Sequence, residues 1–288
     1  MNVYEIVTDK ILAELEKGVI PWQKPWTGVR EGAISHVTGK PYSLLNQMLL
    51  GRPGEWLTYK QAEQRGGKVK TDERKKFSIV VFWKWLEKEE EKDGKKIKKS
   101  IPYLRYYNVY HISQCEGIEE RFPEKKLEHT DPIADAEAVL DGYVERSGVK
   151  FVAEKSNRAY YSPMLDEIHV PILDQFERPE EYYSTAFHEA THSTGHKDRL
   201  DRLDMTAHFG SEDYSKEELV AEIGAATLCN TVGIETESSF KNSAAYVGGW
   251  LKALKNDKRL IVTAAGKAEK AVKYILGEEV AKNETVDE

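Results

Sequence analysis

The chain has 288 residues, enough for two ordinary domains, and its 40% hydrophobic and 32% charged content excludes a disordered protein, which lacks the apolar residues to build a core. Its formal charge of −7 conceals two halves of opposite sign: residues 1–126 carry 24 Lys and Arg against 18 Asp and Glu, residues 127–288 carry 18 against 31. No apolar run approaches the roughly 18–20 residues of a membrane span, so no membrane partner is expected.

In chain order, Val3, Ile6, Val7, Ile11, Leu12 and Leu15 fall at helical spacing, and Gly18 ends that run. An aromatic–proline loop follows over Pro21–Trp26, then short helices over Tyr42–Leu50 and Tyr59–Arg65. Phe77–Trp85 and Tyr103–Ile112 are strand-prone, and Asp93-Gly94 between them is a hairpin-turn signal. These segments predict a hairpin whose charged stretch, Glu87–Lys99, forms a solvated tip. Beyond Pro132 a helix is predicted over Ala134–Ser147, then a hairpin of Ala159–Tyr161 with Glu167–Val170 across Pro163–Asp166. Pro179-Glu180-Glu181 opens the next helix, since proline suits a first turn and acids suit its dipole; Gly195 is expected to end it in the left-handed conformation. A helix over Ser215–Thr231 and two more within Ser243–Leu276 complete the chain. The predicted class is α+β: an N-terminal α+β domain over 1–115, a linker over 116–132, and a mainly helical domain with a small antiparallel sheet over 133–288.

His188-Glu189-Ala190-Thr191-His192 is an HExxH pattern on the helix that Pro179 opens. Helical spacing puts both imidazoles on one face, able to converge on a Zn²⁺ ion, with Glu189 beside them as the catalytic carboxylate of a hydrolase. A catalytic zinc site needs a third protein ligand. Asp198 follows the second histidine at metzincin spacing, while Glu218 and Glu222, four apart on a later helix, fit the gluzincin arrangement in which one carboxylate ligates and the other orients a ligand histidine. Glu218 leads as ligand, with Glu222 as the orienting group; Asp198 and Glu222 remain rivals for the ligand position. Amide hydrolysis is the expected chemistry, and Tyr160, Tyr161 and Tyr246 are available for stabilising an oxyanion.

Residues 58–105 hold 15 Lys and Arg against 8 Asp and Glu, interleaved with aromatics, and five of the six tryptophans precede residue 90. Such a composition suits single-stranded nucleic acid, because stacking tolerates any base while cations track the phosphates. Cys115 and Cys229 have no CxxC spacing and residues 1–5 lack signal-peptide character, so the expected compartment is the cytoplasm.

Ile20-Pro21-Trp22, Pro25-Trp26, Tyr42 with Asn46, Trp56-Leu57-Thr58 with Gln61-Ala62, Gly66-Gly67-Lys68-Val69 and Val80–Trp83 mark the N-terminal half. Ala159–Tyr161, Asp166–Ile168, the HExxH with Thr194-Gly195-His196, Arg199-Leu200, Phe209-Gly210, Glu217–Glu222 and Trp250-Leu251 mark the C-terminal half. On these blocks the chain resembles the ArdC-type antirestriction family over nearly its full length. The resemblance implies a single-stranded-DNA-binding domain joined to a zincin-like metallopeptidase domain, protecting incoming DNA of mobile elements from host restriction. With the basic, aromatic composition it makes Trp22, Trp26, Tyr42, Asn46, Trp56, Lys60, Lys68, Lys70 and Trp83 the candidate DNA contacts. The expected partners are single-stranded DNA and a protein substrate, with a host restriction component as its class. The competing readings are a strand-coating protein whose metal is structural, and a peptidase whose N-terminal domain recognises protein.

Overall fold

The computed structural model describes residues 2–23, 32–92, 95–122, 131–203, 212–234 and 243–279, with backbone alone at 85–92, 95–102, 212–215 and 243–247. Helix α1 (Val3–Glu16) starts at a reciprocal cap: Asn2 Oδ1 accepts the Glu5 N–H at 2.9 Å and Glu5 accepts the Asn2 N–H at 2.7 Å. After strand β1 (Ala33–Ser35) come α2 (Leu44–Leu50), β2 (Gly54–Leu57), α3 (Tyr59–Gln64) and β3 (Lys68–Val69). The long hairpin β4 (Ser78–Lys92) and β5 (Lys95–His111) follows, then β6 (Cys115–Glu116).

Four of these strands form a sheet in the order β1-β2-β5-β4, so β1 and β4 are its edges. Helix α2 covers both edges with two side-chain amides. Asn46 bonds the Val81 N–H and C=O of β4 at 2.8 and 2.9 Å, and Gln47 bonds the Ala33 N–H and C=O of β1 at 2.7 and 2.9 Å. Each amide supplies the donor and acceptor that a neighbouring strand would otherwise provide. The hairpin is longer than its apolar residues predicted, because pairing continues from Ser78↔Val109 out to Lys92↔Lys95. The charged stretch joins the ladder, its backbone pairing placing Glu89 opposite Lys98 and Glu91 opposite Lys96 but also Lys88 opposite Lys99 and Lys92 opposite Lys95. The expected Asp93-Gly94 turn lies outside the described residues.

The second half comprises α4 (Pro132–Ser147), β7 (Lys150–Glu154), β8 (Tyr160–Ser162), β9 (Glu167–Pro171), α5 (Pro179–Ser193), α6 (Glu212–Thr231), α7 (Ser243–Asn256) and α8 (Leu260–Leu276). Its sheet is mixed rather than antiparallel throughout: β8 and β9 form the expected hairpin, and β7, which the sequence pattern did not reveal, pairs parallel to β9. The order β7-β9-β8 leaves β8 as an edge strand. Helix α5 ends at Thr194, but Gly195 does not take the predicted left-handed conformation. Its missing side chain serves close packing instead: a Cβ there would meet Leu203 Cγ at 2.6 Å and Arg202 Cγ at 3.1 Å.

Helix α6 is enclosed on two sides. Ala225, Leu228 and Cys229 join α4, α5 and β9 in one core, while Leu219, Val220, Ile223 and Ala226 join a second. That second core contains Val7, Ile11 and Leu15 of α1, Trp22, Leu44 and Met48, together with Trp250, Leu254 and Ile261 from α7 and α8. The first fifty residues and the last helices therefore share apolar packing. Among the described residues no helix is long and apolar enough to cross a membrane.

Candidate metal centre

The HExxH lies on the last two turns of α5, which Pro179 and the acidic pair Glu180 and Glu181 start as the sequence implies. Across from it runs α6, brought close because Gly224 has no side chain; a Cβ there would meet Thr191 Cγ2 at 2.6 Å and Oγ1 at 2.8 Å. That approach sets Glu218 against both histidines. Glu218 Oε2 is 3.5 Å from His188 Nε2, Glu218 Oε1 is 3.4 Å from His192 Nε2, and the two Nε2 atoms are 3.1 Å apart. The ligand atoms of His188, His192 and Glu218 all lie within 4.8 Å of one another. Two imidazole nitrogens and one carboxylate oxygen, converging with further carboxylates around them, are a donor set that fits a divalent cation. Glu189, 8% exposed, is near enough to both histidines to favour their charged forms.

The group holding His192 from behind is Glu217, not Glu222 as the sequence led us to expect. Glu217 Oε1 lies 3.4 Å from His192 Nδ1, leaving Nε2 turned toward His188 and Glu218. Arg202 in turn clamps Glu217 at 2.8 Å and also donates to the Thr194 hydroxyl and the Thr191 carbonyl. Glu222 makes no hydrogen bond through its buried Oε2, and burial raises its pKa. The reason is rotational: the residue preceding the ligand on α6 faces the C-terminal end of α5, whereas the residue four positions on does not reach Nδ1. The adjacent acids Glu217-Glu218 and the arginine ten residues beyond the second histidine were visible in the sequence, but spacing alone could not say that they meet.

Burial opposes charge on His192, yet Glu217 and then Glu218 outweigh it and push the pKa up to about 10. His188 is raised for the same reason, with Glu218 as its partner. Burial alone would raise Glu218; hydrogen bonds from the two histidines instead hold it far below the usual carboxylate range. The centre is thus an anionic cradle that stabilises positive charge.

Asp198, the rival third carboxylate, is 74% exposed and lies 3.5 Å from His196 Nδ1, so it is turned to solvent. Tyr160 stacks on His169 and Tyr161 donates to Asp166 at 2.7 Å; the Tyr246 side chain lies outside the described residues. Asp166, at the positive-φ position of the β8–β9 turn, also receives two bonds from Arg199, whose Nε donates to the Ser193 carbonyl at 2.7 Å. This network ties the edge strand to the end of the HExxH helix.

The candidate DNA contacts divide. Trp22 is fully buried, edge-on to Trp250 at 5.3 Å, and Trp56 is buried against His111 at 5.2 Å; neither ring is free to stack on a base. Asn46 is spent on the β4 backbone, and half-buried Tyr42 packs on Phe82. These four owe their place to packing within the fold. Trp26 lies outside the described residues. Trp83 is 40% exposed, Lys60 and Lys68 are exposed with Lys68 3.0 Å from Glu116, and Lys70 Nζ donates to the Ser113 carbonyl at 2.8 Å. Tyr106, on the same hairpin, is 43% exposed although it shares a strand face with buried Leu104.

The helix-borne HExxH, the facing glutamate and the edge strand beside them define a zincin-like metallopeptidase domain, and a family model described as a zincin-like metallopeptidase matches residues 138–267. A second model, the N-terminal domain of anti-restriction factor ArdC, matches residues 1–110. The Mn(II)-bound crystal structure of the antirestriction ArdC protein from the R388 plasmid is similar with a TM-score of 0.75 and 37% identity, covering 96% of this chain and 98% of that one. Its metal-free structure gives 0.74 and 37%, over 97% and 100%. The chain belongs to the ArdC antirestriction family. A DNA primase TraC of Escherichia coli is 35% identical over 294 residues, 95% of this chain. The protein y4eC of Sinorhizobium fredii is 28% identical over 95% of this chain and 91% of its own length. The chain spans only about a fifth of the length of that primase and 27% of a second TraC primase.

Proposed function

We propose that this chain is an antirestriction protein that binds single-stranded DNA through residues 1–115 and hydrolyses a protein near that DNA through residues 133–288, the two joined by 116–132. The convergence of His188, His192 and Glu218 beside Glu189 carries the reading. These three would hold the metal, and zinc is the ion proposed because mixed imidazole and carboxylate donors suit it; the Mn(II) in the relative makes manganese the competitor. When bound, the metal supplies a Lewis acid that polarises a carbonyl and makes water more acidic. Glu189 takes the proton of the attacking water and delivers it to the leaving amine. Glu217 and Arg202 keep the His192 ring in place, and the free edge of β8 offers backbone groups to an extended peptide. The proposed substrate is a host restriction component, the compartment is the cytoplasm, and the DNA read is that of an incoming mobile element, as the plasmid origin of the relative supports.

The Glu189→Gln variant tests this. It keeps the donor set, so metal content measured by elemental analysis should equal wild type while peptide-bond cleavage and protection of transferred DNA fall by at least a hundredfold. Full protection by a metal-loaded Glu189→Gln protein would falsify the catalytic reading and leave a strand-coating protein whose metal is structural.

A further inference from the structure

Beside the end of α2 the N-terminal sheet carries a cavity of about 500 Å³, walled by Arg52, Trp56, Lys70, Glu73, Lys76 and Ser113 among others. Left-handed Gly51 turns the chain out of α2 and sets Arg52 at its mouth. The Arg52 guanidinium lies over the Trp56 ring, 5.5 Å from its centroid, and Nη2 donates to Ser113 Oγ at 2.9 Å. Lys70 Nζ donates to the Ser113 carbonyl at 2.8 Å. Both cations are thereby held to one turn of chain, and most of their N–H donors have no acceptor among the described residues. Two acids share the wall, Asp72 and Glu73, and Glu73 is already matched: Lys76 donates to it at 2.6 Å and Gln114 at 3.0 Å. Trp56 is 3% exposed and covered by Arg52 and His111, so this cavity cannot take a base by stacking. With Glu73 matched by Lys76, the wall leaves Arg52 and Lys70 against Asp72, and the planar fork of Arg52 beside the fixed Lys70 ammonium suits a tetrahedral oxyanion.

We infer that Arg52 and Lys70 form a pocket that holds a phosphate group of single-stranded DNA. The inference rests on the nucleic-acid reading above and adds the place where the strand is gripped. The phosphate is either the terminal monoester of a strand or a diester within it.

The test uses the full chain and three labelled DNAs of equal length: linear with a 5′-phosphate, linear with a 5′-hydroxyl, and circular. Anisotropy is followed across a salt series for wild type, Arg52→Gln/Lys70→Gln and, as a remote control, Lys155→Gln. The double variant should bind at least tenfold more weakly at about 0.1 M salt, with the slope of log K against log salt reduced by about 0.7 for each phosphate no longer neutralised. Lys155→Gln should match wild type. Loss confined to the 5′-phosphorylated strand assigns the terminal monoester; equal loss on all three assigns an internal diester. Lysine acetylation footprinting on the wild-type protein guards against a folding artefact: bound strand should protect Lys70. Unchanged affinity and slope in the double variant, or full acetylation of Lys70 in the complex, overturns the pocket. A wild type that binds none of the three DNAs overturns the nucleic-acid reading itself.

Discussion

At the scale of single residues the centre depends on what stands behind its ligands. Glu217 fixes the His192 ring through Nδ1, and Arg202 fixes Glu217. Such partners of a ligand histidine typically govern metal affinity by about 10–100-fold. Glu217→Gln should therefore weaken metal binding by that factor in a competition titration with a chromogenic chelator, although the three ligands remain; Glu222→Gln, whose carboxylate bonds neither histidine, should change it far less. A second pair acts through pH. Burial works against ionisation of Asp166, but the hydrogen bonds from Arg199 and Tyr161 outweigh it and hold its pKa below the usual value. A depressed folded-state pKa contributes stability above the unfolded value of about 3.9, and that contribution is lost as pH falls through the folded value. Thermal melts of wild type and Asp166→Asn should differ at pH 7 and converge as pH drops below about 4. A gap that persists in acid would assign the loss to shape rather than charge.

At the scale of elements, the site is made by one helix crossing. Helix α5 supplies the two histidines of the candidate site and α6 the glutamate, and Gly224 lets the second helix pass close to Thr191. Gly224→Val would insert three carbons against a buried β-branched side chain, an overpacking that costs about 1–3 kcal/mol. Forcing the helices apart also withdraws Glu218 from the histidines. The expected result is a lower melting temperature, measured by circular dichroism, together with loss of metal. A variant that is destabilised yet binds metal normally would show that the crossing does not set the ligand geometry.

At the scale of the whole molecule, the two halves of opposite charge are not independent in packing. The face of α6 bearing Leu219, Val220 and Ile223 lies against Trp22, Leu44 and α1 as well as Trp250 and α8. Leu44 N–H is capped by Glu269 of α8 at 2.9 Å, and Thr8 bonds the Lys258 carbonyl at 2.8 Å. A fragment beginning at residue 131 would expose that face, at about 1.5–3 kcal/mol for each large apolar side chain uncovered. It should unfold at lower temperature and lower cooperativity than the full chain and bind metal more weakly. Equal melting of the fragment and the full chain would mean that the shared core contributes nothing to the metal centre.

Much of this was legible in one dimension. Helix α1 and its stop at Gly18, the proline start of α5, the β8–β9 hairpin and the pairing of two histidines on one helical face all follow from short-range rules: capping, dihedral preference and a period of 3.6 residues. These depend on neighbours in sequence, so the sequence alone determined them. What it could not decide was anything set by residues far apart. Glu217 rather than Glu222 faces His192 because of how α6 is rotated against α5. Trp22 and Trp56 are core and Trp83 is surface, though all three sit in the same basic, aromatic half, because burial is a property of what packs opposite. Gly195 and Gly224 are spaces left for another segment, not turns. Spacing alone put His188 and His192 on one helical face beside Glu189; only the packing of α6 between two cores decided that Glu218 is the carboxylate that meets them and that Arg202 holds Glu217 behind His192.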